Sequence, residues 1–236
     1  MTAPEVERLV RARLLLANVP KRMLDWTFGT FPGFRDNAAA YCQDFPIAVT
    51  LGGRAVPFGL LLVGRTGCGK TSLAVSALRV AVEAETTGAS GEQNQMAPAD
   101  WEWLFAETSK RQLREGTVDR RRMPPAWFDT WAGLRVALRA ARDGEPELLQ
   151  ALCGVRFLVL DDLAVGELTP WREETLLALL GRVDRGRRTL VTSNLAPAAM
   201  LPYVGERVVD RLSDPEAFRV VEVPGGSLRG RKGEAK

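Results

Sequence analysis

The stretch Gly64-Arg65-Thr66-Gly67-Cys68-Gly69-Lys70-Thr71 decides the fold. It is a complete G-x-x-x-x-G-K-[ST] pattern, entered by the apolar run Leu60-Leu61-Leu62-Val63 and left by the helix-forming run Ser72-Leu73-Ala74-Val75-Ser76-Ala77-Leu78. The pattern alone also describes an ordinary Gly-rich turn. A buried strand before it and a helix after it are the context in which such a loop holds phosphate. Gly64, Gly67 and Gly69 let the backbone wrap closely around phosphate oxygens, so that N–H groups converge at a helix N-terminus whose dipole favours negative charge. Lys70 adds a full positive charge, and the Thr71 hydroxyl is a ligand for Mg²⁺ beside water and phosphate oxygens. The candidate nucleotide contacts are therefore Gly64, Arg65, Thr66, Gly67, Cys68, Gly69, Lys70, Thr71 and Ser72.

Outward from this loop, apolar runs and helical patterns alternate. Glu5 to Ala17 spaces Val6, Leu9, Val10, Leu14 and Leu16 as a short amphipathic helix among Arg8, Arg11 and Arg13, ended by Asn18-Val19-Pro20. Residues 1–19 are read as that helix and residues 20–236 as one nucleotide-binding domain. Pro20 to Gly33 reads as a loop carrying aromatics, and Asn37 to Asp44 as a second helix. Residues of about 86–125 form an insertion: Thr86 to Asp100 is rich in Gly, Ser, Gln, Asn and Pro, and a basic segment with Lys110, Arg111, Arg114 and Arg120-Arg121-Arg122 follows. Ala126 to Thr130 is a short strand, Trp131 to Asp143 a helix, Phe157 to Leu160 a strong strand, Glu173 to Val183 a helix and Thr189 to Asn194 a strand. Strands alternating with helices predict an α/β fold, a parallel sheet flanked by helices with right-handed crossovers.

Composition narrows the function classes. The chain of 236 residues, 46% hydrophobic, is long enough for one α/β domain with a short appendage and too short for a second large one. No apolar run approaches the roughly 18 residues needed to cross a bilayer, and the N-terminus opens on a charged segment, so a cytoplasmic protein without a membrane partner is expected. There is no histidine, and Cys42, Cys68 and Cys153 lack C-x-x-C spacing, which excludes a histidine-based triad and argues against a zinc site. A net charge of +3 permits nucleic-acid binding without requiring it.

A triphosphate site also needs a carboxylate at the end of a neighbouring buried strand, where the sheet opens onto phosphate and Mg²⁺. Phe157-Leu158-Val159-Leu160-Asp161-Asp162 supplies two. Asp161 is assigned to Mg²⁺, mostly through water, and Asp162 to polarising the attacking water. Taken alone, such a pair also reads as a helix cap or a solvated turn. Hydrolases of this type more commonly place a glutamate at the second position, and the shorter aspartate favours slow turnover. Thr192-Ser193-Asn194 ends the next apolar strand, which puts the Asn194 amide beside the γ-phosphate and the water, at the N-cap of a helix beginning near Ala196-Pro197, or at both.

With these residues on the page, the chain resembles the AAA+ ATPases of the DnaC/IstB type, replicative helicase loaders and transposition helpers. The resemblance rests on Ala17-Asn18-Val19-Pro20-Lys21-Arg22 with Thr27-Phe28 as lead-in, Gly59 to Gly64 as first core strand, and Leu158 to Leu163 as Walker B strand. Thr192-Ser193-Asn194-Leu195 is similar to sensor 1, and Gly205 to Leu212 to box VII. It implies a P-loop NTPase fold of AAA+ type, with ATP and Mg²⁺ as ligands. It further implies Arg211 as an arginine finger reaching the γ-phosphate of a neighbouring subunit, with Arg207 in reserve, and Arg229 as a late arginine near nucleotide.

The partners so implied are a replicative helicase or a transposase, single-stranded DNA and further copies of the chain in a head-to-tail homo-oligomer. The basic insertion, with Trp101 and Trp103, offers backbone charges and stacking faces for single-stranded DNA; a solvated basic helix is the alternative. Only about seventeen residues precede the lead-in, where members of the family carry a sizeable partner-gripping module, so the resemblance leaves the partner open. Two other classes remain: a nucleotide-gated adaptor that hardly hydrolyses, suggested by Asp162, and a monomeric P-loop phosphotransferase, opposed by Asn194 and the Arg207/Arg211 box. Adenine over guanine follows from the resemblance, and no N-K-x-D motif occurs in the chain.

Overall fold

A computed structural model describes residues 2–30, 37–46, 50–51, 54–87, 126–141, 145–163 and 166–226. Its centre is a five-stranded sheet of β3 (Gly59–Val63), β4 (Ala126–Thr130), β5 (Phe157–Asp161), β6 (Arg188–Ser193) and β7 (Phe218–Glu222). The order is β4-β5-β6-β3-β7 and every pair is parallel. A separate antiparallel pair, β1 (Thr50–Leu51) and β2 (Arg54–Ala55), precedes it.

Helices cover both faces, so the central strands are apolar throughout rather than alternating. Period-2 geometry nevertheless divides them. Leu60 and Leu62 of β3, with Phe157 and Val159 of β5, face a core closed by α1 (Ala3–Leu16), α2 (Asn37–Asp44) and α3 (Lys70–Thr87). Leu61 and Val63, with Leu158 and Leu160, face the other core. That one is closed by α4 (Trp131–Ala140), α5 (Glu145–Gly154), α6 (Pro170–Leu180), α7 (Pro197–Val204) and α8 (Glu206–Ser213).

The N-terminal helix is a strap on this core. Its Val10 and Leu14 are fully buried, and α1 packs along α3. Ala17 and Asn18 then run beside the outer edge of β4. The Phe128 N–H donates to the Ala17 carbonyl at 2.7 Å, and Asn18 Nδ2 donates to the Phe128 carbonyl at 3.0 Å and to Asp129 Oδ2 at 3.2 Å. Backbone groups that an edge strand would otherwise offer to another chain are partnered here from within.

The structure departs from the sequence reading in several places. β5 is not the neighbour of the phosphate-loop strand, because β6 lies between them. The helix expected over 173–183 starts at Pro170 and ends at Leu180, continuing as a 3-10 turn over Gly181–Arg185. Thr169 Oγ1 accepts the Arg172 N–H at 3.2 Å and Pro170 opens the first turn, a cap and a first-position proline that together start the helix three residues early. α4 stops at Ala140 rather than Asp143, and α5 was not anticipated. α3 continues through Thr87, so residues 86 and 87 of the expected insertion are helical, while 88–125 lie outside the described residues.

Where β5 and β6 begin, Arg182 is wholly buried and donates to the carbonyls of Val155 and Arg188. Burial pulls its pKa down to about 9.

Candidate functional site

Strand ends decide where chemistry collects. In a parallel sheet with helices on both faces, the chain turns at the C-terminal ends of the strands, and ligands bind in the crevice there. β3, β5 and β6 all end at that side, and each delivers a residue the sequence singled out.

After β3 the loop from Gly64 to Gly69 is shaped by close packing. A Cβ on Gly64 would stand 2.6 Å from the Val223 carbonyl oxygen and 3.0 Å from Cys68 Sγ, so only glycine lets the loop pass the end of β7. Gly67 and Gly69 take φ values of 83° and 103°, conformations glycine adopts without strain. α3 then begins at Lys70, directing the unpaired first N–H groups of a helix, and its dipole, at the mouth of the loop.

Lys70 is only 5% exposed. Its ammonium donates to the carbonyls of Gly64 at 2.8 Å and Arg65 at 2.9 Å, and to Asn194 Oδ1 at 2.8 Å. Asn194 thus reaches across from the end of β6 to the phosphate loop. It does not cap α7, whose N-cap is Ala196 without a side-chain bond. Of the two positions the spacing left open, the Asn194 amide lies at the phosphate loop.

The carboxylate from β5 meets the loop from the other direction. Thr71 Oγ1 lies 3.0 Å from both oxygens of Asp161, and Thr192 Oγ1 donates to Asp161 Oδ1 at 2.6 Å. Asp161 is 4% exposed, and burial raises its pKa above the ordinary carboxylate value, with the neighbouring charge of Asp162 adding to the rise. Hydrogen bonds from Thr192 and Thr71 and the nearby charge of Lys70 act the other way. A buried, partly destabilised carboxylate is a strong ligand for a hard cation, because the cation restores the charge balance that water would have supplied.

Asp162 follows with φ of 54°, a left-handed backbone that aspartate tolerates better than most residues. Its N–H donates to Thr192 Oγ1 at 3.1 Å, and the next N–H, of Leu163, donates to the Thr192 carbonyl at 3.0 Å. Thr192, wholly buried, therefore fixes three consecutive residues, the last of β5 and the two that follow it. Sequence reading passed over it. Its hydroxyl lies in a strand that also carries Thr189 and Ser193, and nothing in the sequence marks it apart from theirs.

These groups fit a Mg²⁺-bound triphosphate. A buried ammonium, a helix N-terminus, one hydroxyl and one buried carboxylate converge on the loop. No cluster of three or more His, Cys, Asp or Glu side chains that could hold a metal ion occurs among the described residues.

Arg211 is not part of this cluster. It lies on α8, is about one quarter exposed, and forms an ion pair with Asp184 of the 3-10 turn that precedes β6. Asn194 sits beyond the opposite end of β6, a strand of about 17 Å at roughly 3.3 Å per residue, so Arg211 and Lys70 occupy opposite ends of the sheet. Arg207 is exposed in the first turn of the same helix. Arg229 and the basic residues of 110–122 lie outside the described residues. Among the described residues no helix is long and apolar enough to cross a membrane.

No protein-family model and no curated protein matches this sequence. Solved structures do match its fold. DnaI superposes over 89% of this chain and 94% of its own, with a TM-score of 0.58 and 17% identity. The DnaC helicase loader superposes over 87% and 100%, with a TM-score of 0.56 and 18% identity. AMPPCP-bound DnaA from Aquifex aeolicus covers 84% of this chain with 49% of its own, at a TM-score of 0.53 and 16% identity. What these likenesses show is the fold, a parallel sheet flanked by helices with a phosphate loop after β3.

Proposed function

We propose that this AAA+ chain is a Mg²⁺-dependent ATPase of the DnaC/IstB type, which assembles head to tail on single-stranded DNA and serves a replicative helicase. The observation that carries the reading is the pairing of a complete phosphate site with an arginine that cannot reach it. Lys70, Thr71, Asp161 and Asn194 meet at one end of the sheet, and Arg211 stands at the other. An arginine so placed is useful to a triphosphate held by a neighbouring copy, where its guanidinium would stabilise charge in the transition state.

Within one site the division of labour follows from the geometry. Lys70 releases the loop carbonyls to bind phosphate oxygens, and Asn194, already 2.8 Å from its ammonium, holds the lysine in line. Thr71 and Asp161 would hold Mg²⁺, which when bound would neutralise phosphate charge. Asp162 orients and polarises water. ATP shared by two copies makes assembly depend on nucleotide, and its hydrolysis loosens the contact. The fold it shares with the DnaC helicase loader supports a helicase as the partner.

The aspartate at position 162 favours a second reading, a nucleotide-gated adaptor with the same site and little turnover. Both readings predict ATP-dependent assembly, and turnover separates them. In sedimentation velocity with ATP, Mg²⁺ and single-stranded DNA, the wild-type chain is expected to sediment as an oligomer and Arg211→Ala as a monomer. A wild-type monomer under all conditions would remove the head-to-tail interface. Retention of a transposase rather than a helicase by the assembled form would move the reading to a transposition helper.

A further inference from the structure

Arg172 is a buried cation that the proposed chemistry does not use. It is 1% exposed, and among the described residues no carboxylate pairs with it. Burial lowers its pKa, and the positive charge of Arg135 adds to the fall. An isolated guanidinium is costly to desolvate, and an apolar side chain of similar length would fill the same space at lower cost. What Arg172 touches explains its presence. Nη2 donates to the Leu163 carbonyl at 2.8 Å, Nη1 donates to the Glu167 carbonyl at 3.1 Å, and the guanidinium carbon lies 5.3 Å from the centre of the Trp131 ring.

Leu163 is the residue directly after Asp162. The Asp162 backbone is left-handed, a strained conformation for a non-glycine residue that persists only when the surroundings over-determine it. On one side Thr192 accepts the N–H groups of Asp162 and Leu163. On the other side Arg172 donates to the Leu163 and Glu167 carbonyls, its planar fork spanning two carbonyls four residues apart.

We propose that Arg172 is a positioning residue for Asp162, a clasp from the first turn of α6 that holds the backbone after the β5 carboxylates so that the Asp162 side chain faces the phosphate site. The inference rests on the ATPase reading for its catalytic consequence and on geometry alone for the clasp. Charge-assisted bonds of this kind contribute more than neutral ones, and a fork is not reproduced by a single ammonium.

The test compares Arg172→Met with Arg172→Lys and with Arg182→Met, which removes the other fully buried arginine from the strand-entry end of the sheet. Two quantities are read on the folded fraction: backbone amide exchange at Asp162 and Leu163, and ATP turnover resolved into kcat and nucleotide Kd. Arg172→Met is expected to speed exchange at those two amides at least tenfold more than Arg182→Met does. It is also expected to lower kcat ten- to a hundredfold with Kd changed less than threefold, and Arg172→Lys to recover part of both. Exchange at Asp162 and Leu163 that is equal in Arg172→Met and Arg182→Met would overturn the clasp. Faster exchange with unchanged kcat would overturn the positioning role. A wild-type chain without turnover would contradict the ATPase reading instead, and amide exchange would still decide the clasp.

Discussion

Lys70→Ala is expected to weaken ATP binding at least about 100-fold, since a hydrogen bond to a charged group contributes roughly 1.5–3 kcal/mol and each 1.4 kcal/mol is a factor of ten. The ammonium now bonded to the carbonyls of Gly64 and Arg65 is the only full positive charge aimed at the loop from α3. Its loss leaves the loop glycines and the helix dipole, which attract phosphate but neutralise little of its charge. Removing it also frees Asn194, so the variant should not respond to the γ-phosphate even at saturating nucleotide. Titration with a fluorescent ATP analogue, beside the thermal midpoint of the nucleotide-free protein, checks the expectation. A change in affinity of less than about threefold, near 0.6 kcal/mol, in a normally folded variant would mean that Lys70 is structural.

Asp161→Asn should act in opposite directions on stability and on turnover. The folded-state pKa of Asp161 is raised above the value it has in an unfolded chain, chiefly by burial. A group shifted in this sense contributes stability that is fully present below the unfolded pKa and lost as pH rises through the folded pKa. At neutral pH Asp161 therefore weakens the metal-free fold relative to an uncharged side chain, and asparagine removes that penalty. The variant should unfold at a higher temperature than wild type at pH 7. The difference should vanish at pH values below the ordinary carboxylate range. With nucleotide and Mg²⁺ the order reverses, because asparagine offers the cation no charge. Mg²⁺-dependent stabilisation and at least about 100-fold of turnover should be lost, in the range of single-group electrostatic effects at active sites. In wild type, Mg²⁺-dependent stabilisation should fall away as pH drops through the raised pKa of Asp161. Differential scanning fluorimetry across pH, with and without Mg²⁺, reads both signs. An Asp161→Asn variant that is less stable than wild type without metal at pH 7 would contradict the burial account.

The phosphate loop and its strands were legible in the sequence because their constraints are local. Gly64 must pass the Val223 carbonyl, Lys70 must open a helix, and β3, β5 and β6 read as apolar runs because they are covered on both faces. Spatial order was not legible. The distance along the chain from Thr71 to Asp161 does not say that β6 lies between their strands, nor that Asn194 is delivered to Lys70 rather than to α7. The early start of α6 had a local signal, Thr169-Pro170, that the reading passed over. Thr192 and Arg172 had none of comparable strength. Their partners, Asp161 with Asp162 for one and the carbonyls of Leu163 and Glu167 for the other, are set by packing between elements. α1 was legible as a helix but not as a strap, because its amphipathic pattern specifies a buried face without saying what buries it.

The central claim is that one copy's Arg211 completes another copy's phosphate site. The most direct measurement is ATP turnover, on single-stranded DNA, of an equimolar mixture of Arg211→Ala and Lys70→Ala chains, each inactive alone. Recovered turnover is the predicted result, since the intact Lys70 site of one variant can meet the intact Arg211 of the other at a mixed interface. A mixture as inactive as its components, formed from chains that still assemble together, would contradict the composite site.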